Sequence, residues 1–323
     1  MVFCYRRLNY GIPKKKRRFD RKKVVLVERT ICILILLALL ALAGRWIAGQ
    51  LSKEDSQKKK QTKTQTDNTA QKEDKTEAEN TQTPVYDFVC SDGTLSAEFQ
   101  QTLSDRAKED KKVQKILADS RNYPVSMLEL LAKNAETTDF VADYPEKKDE
   151  APAESIGEVK EGEIPLLIQW DERWGYIHYG DGIIANSGCG PTALAMVAAG
   201  LTGDNSITPY KIASYAGANG YYVAGSGSSW SLMTEAALNF GVAGTEIALS
   251  ESSVTEELNA GHPIICSMKQ GDFTTDGHFI VLTGMADGKI QVHDPNSKER
   301  SSRTWDYATL EPQIENLWSF TKL

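Results

Sequence analysis

Cys189 stands in the run Gly188-Cys189-Gly190-Pro191-Thr192, directly ahead of Ala-Leu-Ala-Met-Val-Ala-Ala. The apolar stretch predicts a buried helix. Pro191 suits its first turn, where a missing N–H costs nothing. The two glycines permit a tight turn and close approach by another group. A thiol here sits at the positive end of the helix dipole, which favours the reactive thiolate. A lone cysteine in this setting reads more simply as a small buried apolar residue in a tight turn. What makes it a nucleophile candidate lies about ninety residues downstream.

There, Asp276-Gly277-His278-Phe279-Ile280-Val281-Leu282-Thr283-Gly284 and Lys289-Ile290-Gln291-Val292-His293-Asp294-Pro295 flank an Asp287-Gly288 turn. Two β-rich runs around such a turn predict a hairpin. With the turn centred between Ala286 and Asp287, His278 falls opposite Pro295 and beside Asp294. Opposed residues lie roughly 5 Å apart at Cβ. A carboxylate there can hold one ring nitrogen of His278 while the other faces a thiol. His293 is the alternative base, but it does not gain the same neighbour.

With Ile164-Pro165-Leu166-Leu167-Ile168-Gln169-Trp170-Asp171-Glu172-Arg173-Trp174-Gly175, these motifs resemble the papain-like cysteine peptidases of family C-39. The similarity is to the stand-alone C-39-like branch of Gram-positive bacteria and covers about half the chain, from residue 162 to about 320. It implies a papain-like α+β fold, Cys189 as nucleophile, His278 as base and Asp294 as its orienting partner, with no metal or organic cofactor. Such enzymes usually carry an oxyanion-hole glutamine a few residues before the nucleophile. Here the sixth position upstream is Ile183, and Gln169, about twenty residues upstream, is the nearest glutamine. Gln169 is therefore the oxyanion candidate, with Asn186 the other amide. No ABC ATPase motif occurs, which sets aside the transporter-fused form, and no GxSxG elbow supports a serine hydrolase. The competing readings are an inactive papain-like binding module and a cell-wall amidase of the NlpC or CHAP type.

The rest of the chain must position these residues. From Gly162 the pattern is α+β, helices first and an antiparallel sheet after. Expected elements are a strand at Ile164–Ile168 and helices at Cys189–Gly200, Thr208–Ala216, Ser229–Phe240 and Ser253–Ala260. Strands follow at Pro263–Met268, Phe279–Thr283, Lys289–Val292 and Leu317–Phe320. Residues 84–145 read as a helical neck: one helix carrying Val113, Ile116 and Leu117, a break at Asn122-Tyr123-Pro124, and a second helix from Ser126 to about Asn134. It would be either a structural neck or a pro-region-like cover. Residues 146–161 read as a linker, and 162–323 as the peptidase domain.

The 323-residue chain has a net charge of −7, unevenly spread. Residues 1–29 carry 11 Lys and Arg against 2 Asp and Glu, and the remainder carries 26 against 42. An acidic remainder argues against nucleic acid as a partner. Residues 30–50 have an uncharged core from Thr30 to Gly44 that extends to Gln50 with Arg45 snorkelling, long enough to span a bilayer. The basic tail before them places the N-terminus in the cytoplasm and the catalytic domain outside the cell. A cleaved signal peptide ending at Ala41-Leu42-Ala43 is the alternative. Residues 51–83, polar and charged, read as a disordered linker. The expected partners are a peptide or cell-wall peptide substrate and the membrane. The five cysteines form no CxxC pair, which fits a free catalytic thiol, with Cys266 in a core strand.

Overall fold

The computed structural model describes residues 85–323. The spanning segment and the polar linker after it lie outside them. No helix among the described residues is long and apolar enough to cross a membrane.

Four short helices come first: α1 (Ala97–Ala107), α2 (Lys111–Ala118), α3 (Val125–Lys133) and α4 (Thr138–Lys147). The stretch expected as one helix is two. Asp110 divides them, its carboxylate accepting from the N–H groups of Lys112 and Val113, which is what an N-cap does. Leu103, Val113, Ile116, Leu117, Leu128 and Phe140 interlock in a core that also takes in Ile168, Trp170, Tyr176 and Ala185 from downstream. Tyr176 stacks on Phe140 at 4.2 Å and donates its hydroxyl to the Phe140 carbonyl. The helices therefore pack on the domain that follows.

Residues 148–177 carry no helix or strand, so the expected strand at Ile164–Ile168 does not form. Pro165 has no N–H for a ladder, and the segment instead ties off locally. Gly162 N–H bonds to Gly200 O, and Gln169 N–H to Pro295 O.

A short helix, α5 (Ile184–Ser187), leads into α6 (Cys189–Thr202). Helix α6 is apolar on every side and buried along nearly its whole length, as such composition requires. Gly203, at φ 74°, ends it. Helix α7 (Pro209–Ala218) is capped by Thr208, whose hydroxyl accepts from Lys211 N–H. The helix expected at Ser229–Phe240 is a π turn over Leu232–Ala236 followed by a 3-10 turn over Ala237–Phe240.

The main sheet has six antiparallel strands: β1 (Val242–Glu246), β2 (Ile264–Met268), β3 (His278–Ala286), β4 (Lys289–His293), β5 (Thr304–Trp305) and β6 (Ile314–Lys322). Their order is β1-β6-β2-β3-β4-β5, so the C-terminal strand inserts between β1 and β2. Helix α8 (Glu251–Asn259) joins β1 to β2, capped by Ser250. Alternation divides each strand between two cores. Ile265, Phe279, Val281, Trp318 and Phe320 pack with α6. Ile264, Cys266, Ile280, Leu282 and Leu317 pack with Val254 and Leu258 of α8 on the other face.

The β3–β4 turn corrects the expected register. Asp287 and Gly288 are its two central residues, both at positive φ (52° and 77°), as a two-residue I′ hairpin turn demands. Ala286 therefore pairs with Lys289, and the turn centres one residue later than expected. The pairing then slips by one between Leu282 and Gly284, a bulge at Thr283. The last paired residues are Val281 and His293.

Candidate active site

Cys189 is the first residue of α6, half-buried at the floor of a cleft of about 610 Å³. Its two glycines are both sterically required. A Cβ on Gly188 would lie 2.5 Å from Ile184 Cγ2, and one on Gly190 2.6 Å from Ser228 Oγ. The tight seat of the thiol is thus written into the motif.

His278 opens β3, opposite Met268 of β2. Its ring is 7% exposed, and Nε2 donates to Asp294 Oδ1 at 2.7 Å. That leaves Nδ1 for the Cys189 thiol, which lines the same cleft. His278 and Asp294 do meet, but not as cross-strand neighbours. Asp294 lies just past the end of β4, in a turn closed by a bridge to Ser297. It is fully buried. Arg300 Nε and Asn296 N–H donate to its carboxylate, and its own N–H donates to Ser301 Oγ. Nothing in the spacing marked Arg300, Ser301 or Asn296. Arg300 and Ser301 sit on a four-residue helical turn, Lys298–Ser301, capped by Ser297, whose position against Asp294 no periodicity encodes.

The electrostatics follow from these contacts. Burial raises the Cys189 thiol, but the hydrogen bond from His278 and its positive charge outweigh that, with help from the N–H groups of Phe279 and Gly190. The thiol sits below its ordinary value. Burial by itself lowers His278. The adjacent carboxylate reverses this through charge and hydrogen bond, and the imidazole is pushed up to about 10. Burial raises Asp294, and the charges of His278 and Arg300 more than offset it, holding the carboxylate below its usual range. This favours a thiolate–imidazolium pair over a neutral one.

Gln169 is 3% exposed and does not form part of the cleft wall. Its Nε2 donates to Ala185 O at 2.7 Å, within α5, the turn just ahead of Cys189. Asn186 does line the cleft, and its Nδ2 reaches Ser126 O of the first helical unit at 3.4 Å. His293 pairs with Val281 and does not line the cleft. His262 is paired with Glu257. Cys266 is fully buried, and burial pushes its thiol far up.

The cleft rim is formed by Tyr222, Gly225-Ser226-Gly227, Trp230 and Gly277, with Asp181, Asp276 and Glu315 as its charged residues. Trp230 is 43% exposed. No residue of the four N-terminal helices lines this cleft. They leave it open. Among the described residues no cluster of three His, Cys, Asp or Glu side chains could hold a metal ion.

This mixed helix-and-sheet domain has a cleft lined by Cys189 and His278, with the buried Asp294 bonded to the histidine, the groups a cysteine peptidase requires. The chain belongs to the Peptidase_C39 like family, whose model matches residues 161–322. Cysteine peptidase hydrolysis is the activity that membership carries. Two solved structures are similar. One is a C39-like peptidase from Bacillus anthracis, at 17% identity and TM-score 0.35, covering 51% of this chain and 98% of that one. The other is the peptidase domain of Streptococcus ComA, a bi-functional ABC transporter involved in a quorum sensing pathway, at 18% identity and TM-score 0.34, covering 42% and 93%. Comparison with curated proteins found no match.

Proposed function

We propose that this chain is a membrane-anchored, extracellular cysteine peptidase that cleaves peptide or isopeptide bonds with Cys189, His278 and Asp294. The observation carrying this reading is the 2.7 Å bond from His278 to a buried Asp294, with the opposite ring nitrogen left for a helix-start thiol. The thiolate attacks the substrate carbonyl and forms a tetrahedral oxyanion. The Cys189 N–H, in a first helical turn that lacks intrahelical partners, stabilises it, and of the two amide candidates Asn186 is the one on the cleft wall. The imidazolium gives its proton to the leaving amine, producing an acyl-thioester. His278, now neutral, takes a proton from water, which hydrolyses the thioester and restores the thiol. Asp294 keeps its charge throughout and orients the ring.

Hydrolysis of a peptide library by the purified ectodomain, with Cys189→Ala as control, tests the reading. A wild-type chain that neither hydrolyses peptides nor traps a peptide electrophile at Cys189 would leave a binding module. The anchor has its own test. Protease added to intact cells should remove the C-terminal domain, and a protected C-terminal epitope would overturn the topology.

A further inference from the structure

The turn that carries Asp294 is held from outside the catalytic domain. Between α3 and α4 the chain runs Asn134-Ala135-Glu136-Thr137. The Glu136 carboxylate accepts from Ser297 Oγ at 2.5 Å, from Lys298 N–H at 2.8 Å and from Glu299 N–H at 3.4 Å. Two residues earlier, Asn134 Nδ2 donates to the Asn296 carbonyl at 2.7 Å, as does Trp170 Nε1 at 3.1 Å. The link continues inward. Ser297 Oγ, while donating to Glu136, accepts from Arg300 N–H at 3.0 Å. The Arg300 guanidinium donates to Asp294 Oδ2, and Asn296 N–H to Asp294 Oδ1 at 2.7 Å. Two hydrogen bonds, Glu136 to Ser297 and Ser297 to Arg300, thus lead to the residue that grips the buried carboxylate.

The physical need is specific. A fully buried carboxylate stays ionised only while donors hold it. Those donors come from a turn that has already left the sheet, since β4 ends at His293. A turn with no ladder needs another anchor, and an ionised acceptor provides stronger bonds than a neutral one. We propose that Glu136 is a positioning residue for the catalytic set: it fixes the Ser297–Arg300 turn and so sets Asp294 against His278. The first helical unit is on this view part of the catalytic apparatus. The proposal rests on the Cys189, His278 and Asp294 reading above.

The test uses the full chain with Glu136→Gln, Ser297→Ala and the double variant, and Asp139→Ala as control. Asp139 makes only an exposed pair with Lys112 on the same unit. Two readouts are taken: kcat and KM for peptide hydrolysis, and the pH midpoint of Cys189 alkylation by iodoacetamide. Expected for Glu136→Gln is a kcat loss on the order of ten- to a hundredfold with KM held, since a 1 Å misplacement can cost about a hundredfold. The alkylation midpoint should also move up, because a looser Asp294 supports the imidazolium less. Ser297→Ala should do the same, and the double variant should add little, as two ends of one link do. Asp139→Ala should change neither readout. Folded variants with wild-type midpoints and kcat, additive losses, or failure of both single variants to fold would overturn the proposal in favour of a purely structural contact. If wild-type Cys189 alkylates no faster than a free thiol, it is the underlying catalytic reading that fails.

Discussion

His278 Nε2 lies 2.7 Å from Asp294 Oδ1, although the ladder that carries the histidine never reaches the aspartate. Pairing between β3 and β4 stops at Val281 and His293, so the carboxylate is delivered by the turn beyond the strand. The contact therefore depends on that turn's own bracing, by Arg300, Asn296 and Ser301.

Selective alkylation should identify the nucleophile. A substoichiometric pulse of iodoacetamide at about pH 6 should modify Cys189 first among the described cysteines Cys90, Cys189 and Cys266, read by peptide mass mapping. Cys90 and Cys266 are buried, and burial raises both thiols, whereas His278 lowers Cys189. Labelling of Cys266 before Cys189 in folded protein would contradict the assignment.

The two strand histidines should separate cleanly. His278→Ala should abolish hydrolysis and the fast alkylation of Cys189. His293→Ala should keep most of both, because His293 does not line the cleft that holds Cys189 and His278. Equal losses, with both variants folded, would mean that the thiol takes its base elsewhere.

Stability should depend on pH through the buried pair. His278 is raised from 6.5 to about 10, so its stabilising contribution is fully present below 6.5 and is lost as the pH rises through about 10. Asp294 is lowered from 3.8, so its contribution is present above 3.8 and fades as the pH falls through its depressed folded value. Melting temperature followed across pH should fall on both sides, and Asp294→Asn should flatten both slopes. An unaltered alkaline slope in that variant would show that Asp294 does not hold the His278 proton.

Adding one methyl at Gly190 should be costly. The new Cβ would meet Ser228 Oγ at 2.6 Å and Ser228 Cβ at 2.7 Å. Gly190→Ala should lose about 1–3 kcal/mol of stability, the range for overpacking, measured by urea unfolding. The displaced Ser228, which bonds to Tyr179, should also disturb the cleft wall and lower kcat/KM. A variant of native stability would mean that Ser228 gives way easily.

The oxyanion amide can be decided by comparing two truncations. Asn186→Ala, on the cleft wall, should reduce kcat by roughly 10²–10³ with little change in KM, the usual cost of one oxyanion donor. Gln169→Ala, buried with its Nε2 on Ala185 O, should change kcat less and act through stability. The reverse ranking would move the assignment to Gln169.

Much of the site could be read from sequence because its elements are locally coded. The apolar run after Cys189 requires a buried helix wherever it lies, and Asp287-Gly288 requires a tight hairpin. Cys266, between Ile265 and Ser267, was legible as a core strand residue for the same reason. The helix start at Thr208 followed from a side chain that bonds to the next turn, whereas the helix expected from Ser253 begins two residues earlier, capped by Ser250. Such signals act within a few residues, and they survive any tertiary arrangement.

Other features exist only once the chain has closed on itself. The Ile164–Ile168 run has strand-like composition, yet it found no partner edge, and Pro165 could not have donated to one. Ser229–Phe240 reads as helix, but packing broke it into a π turn and a 3-10 turn. Strand β6 enters the middle of the sheet from the far end of the sequence, a choice made by burial of Trp318 and Phe320. Glu136 and Ser297 are 161 residues apart, and no periodicity connects them. Propensity and patterning fix what each segment becomes; which segments meet is decided by shared burial and by the hydrogen bonds that buried polar groups must find. That is why Cys189 and His278 were visible as chemistry in the sequence, while the residues that hold Asp294 in place were not.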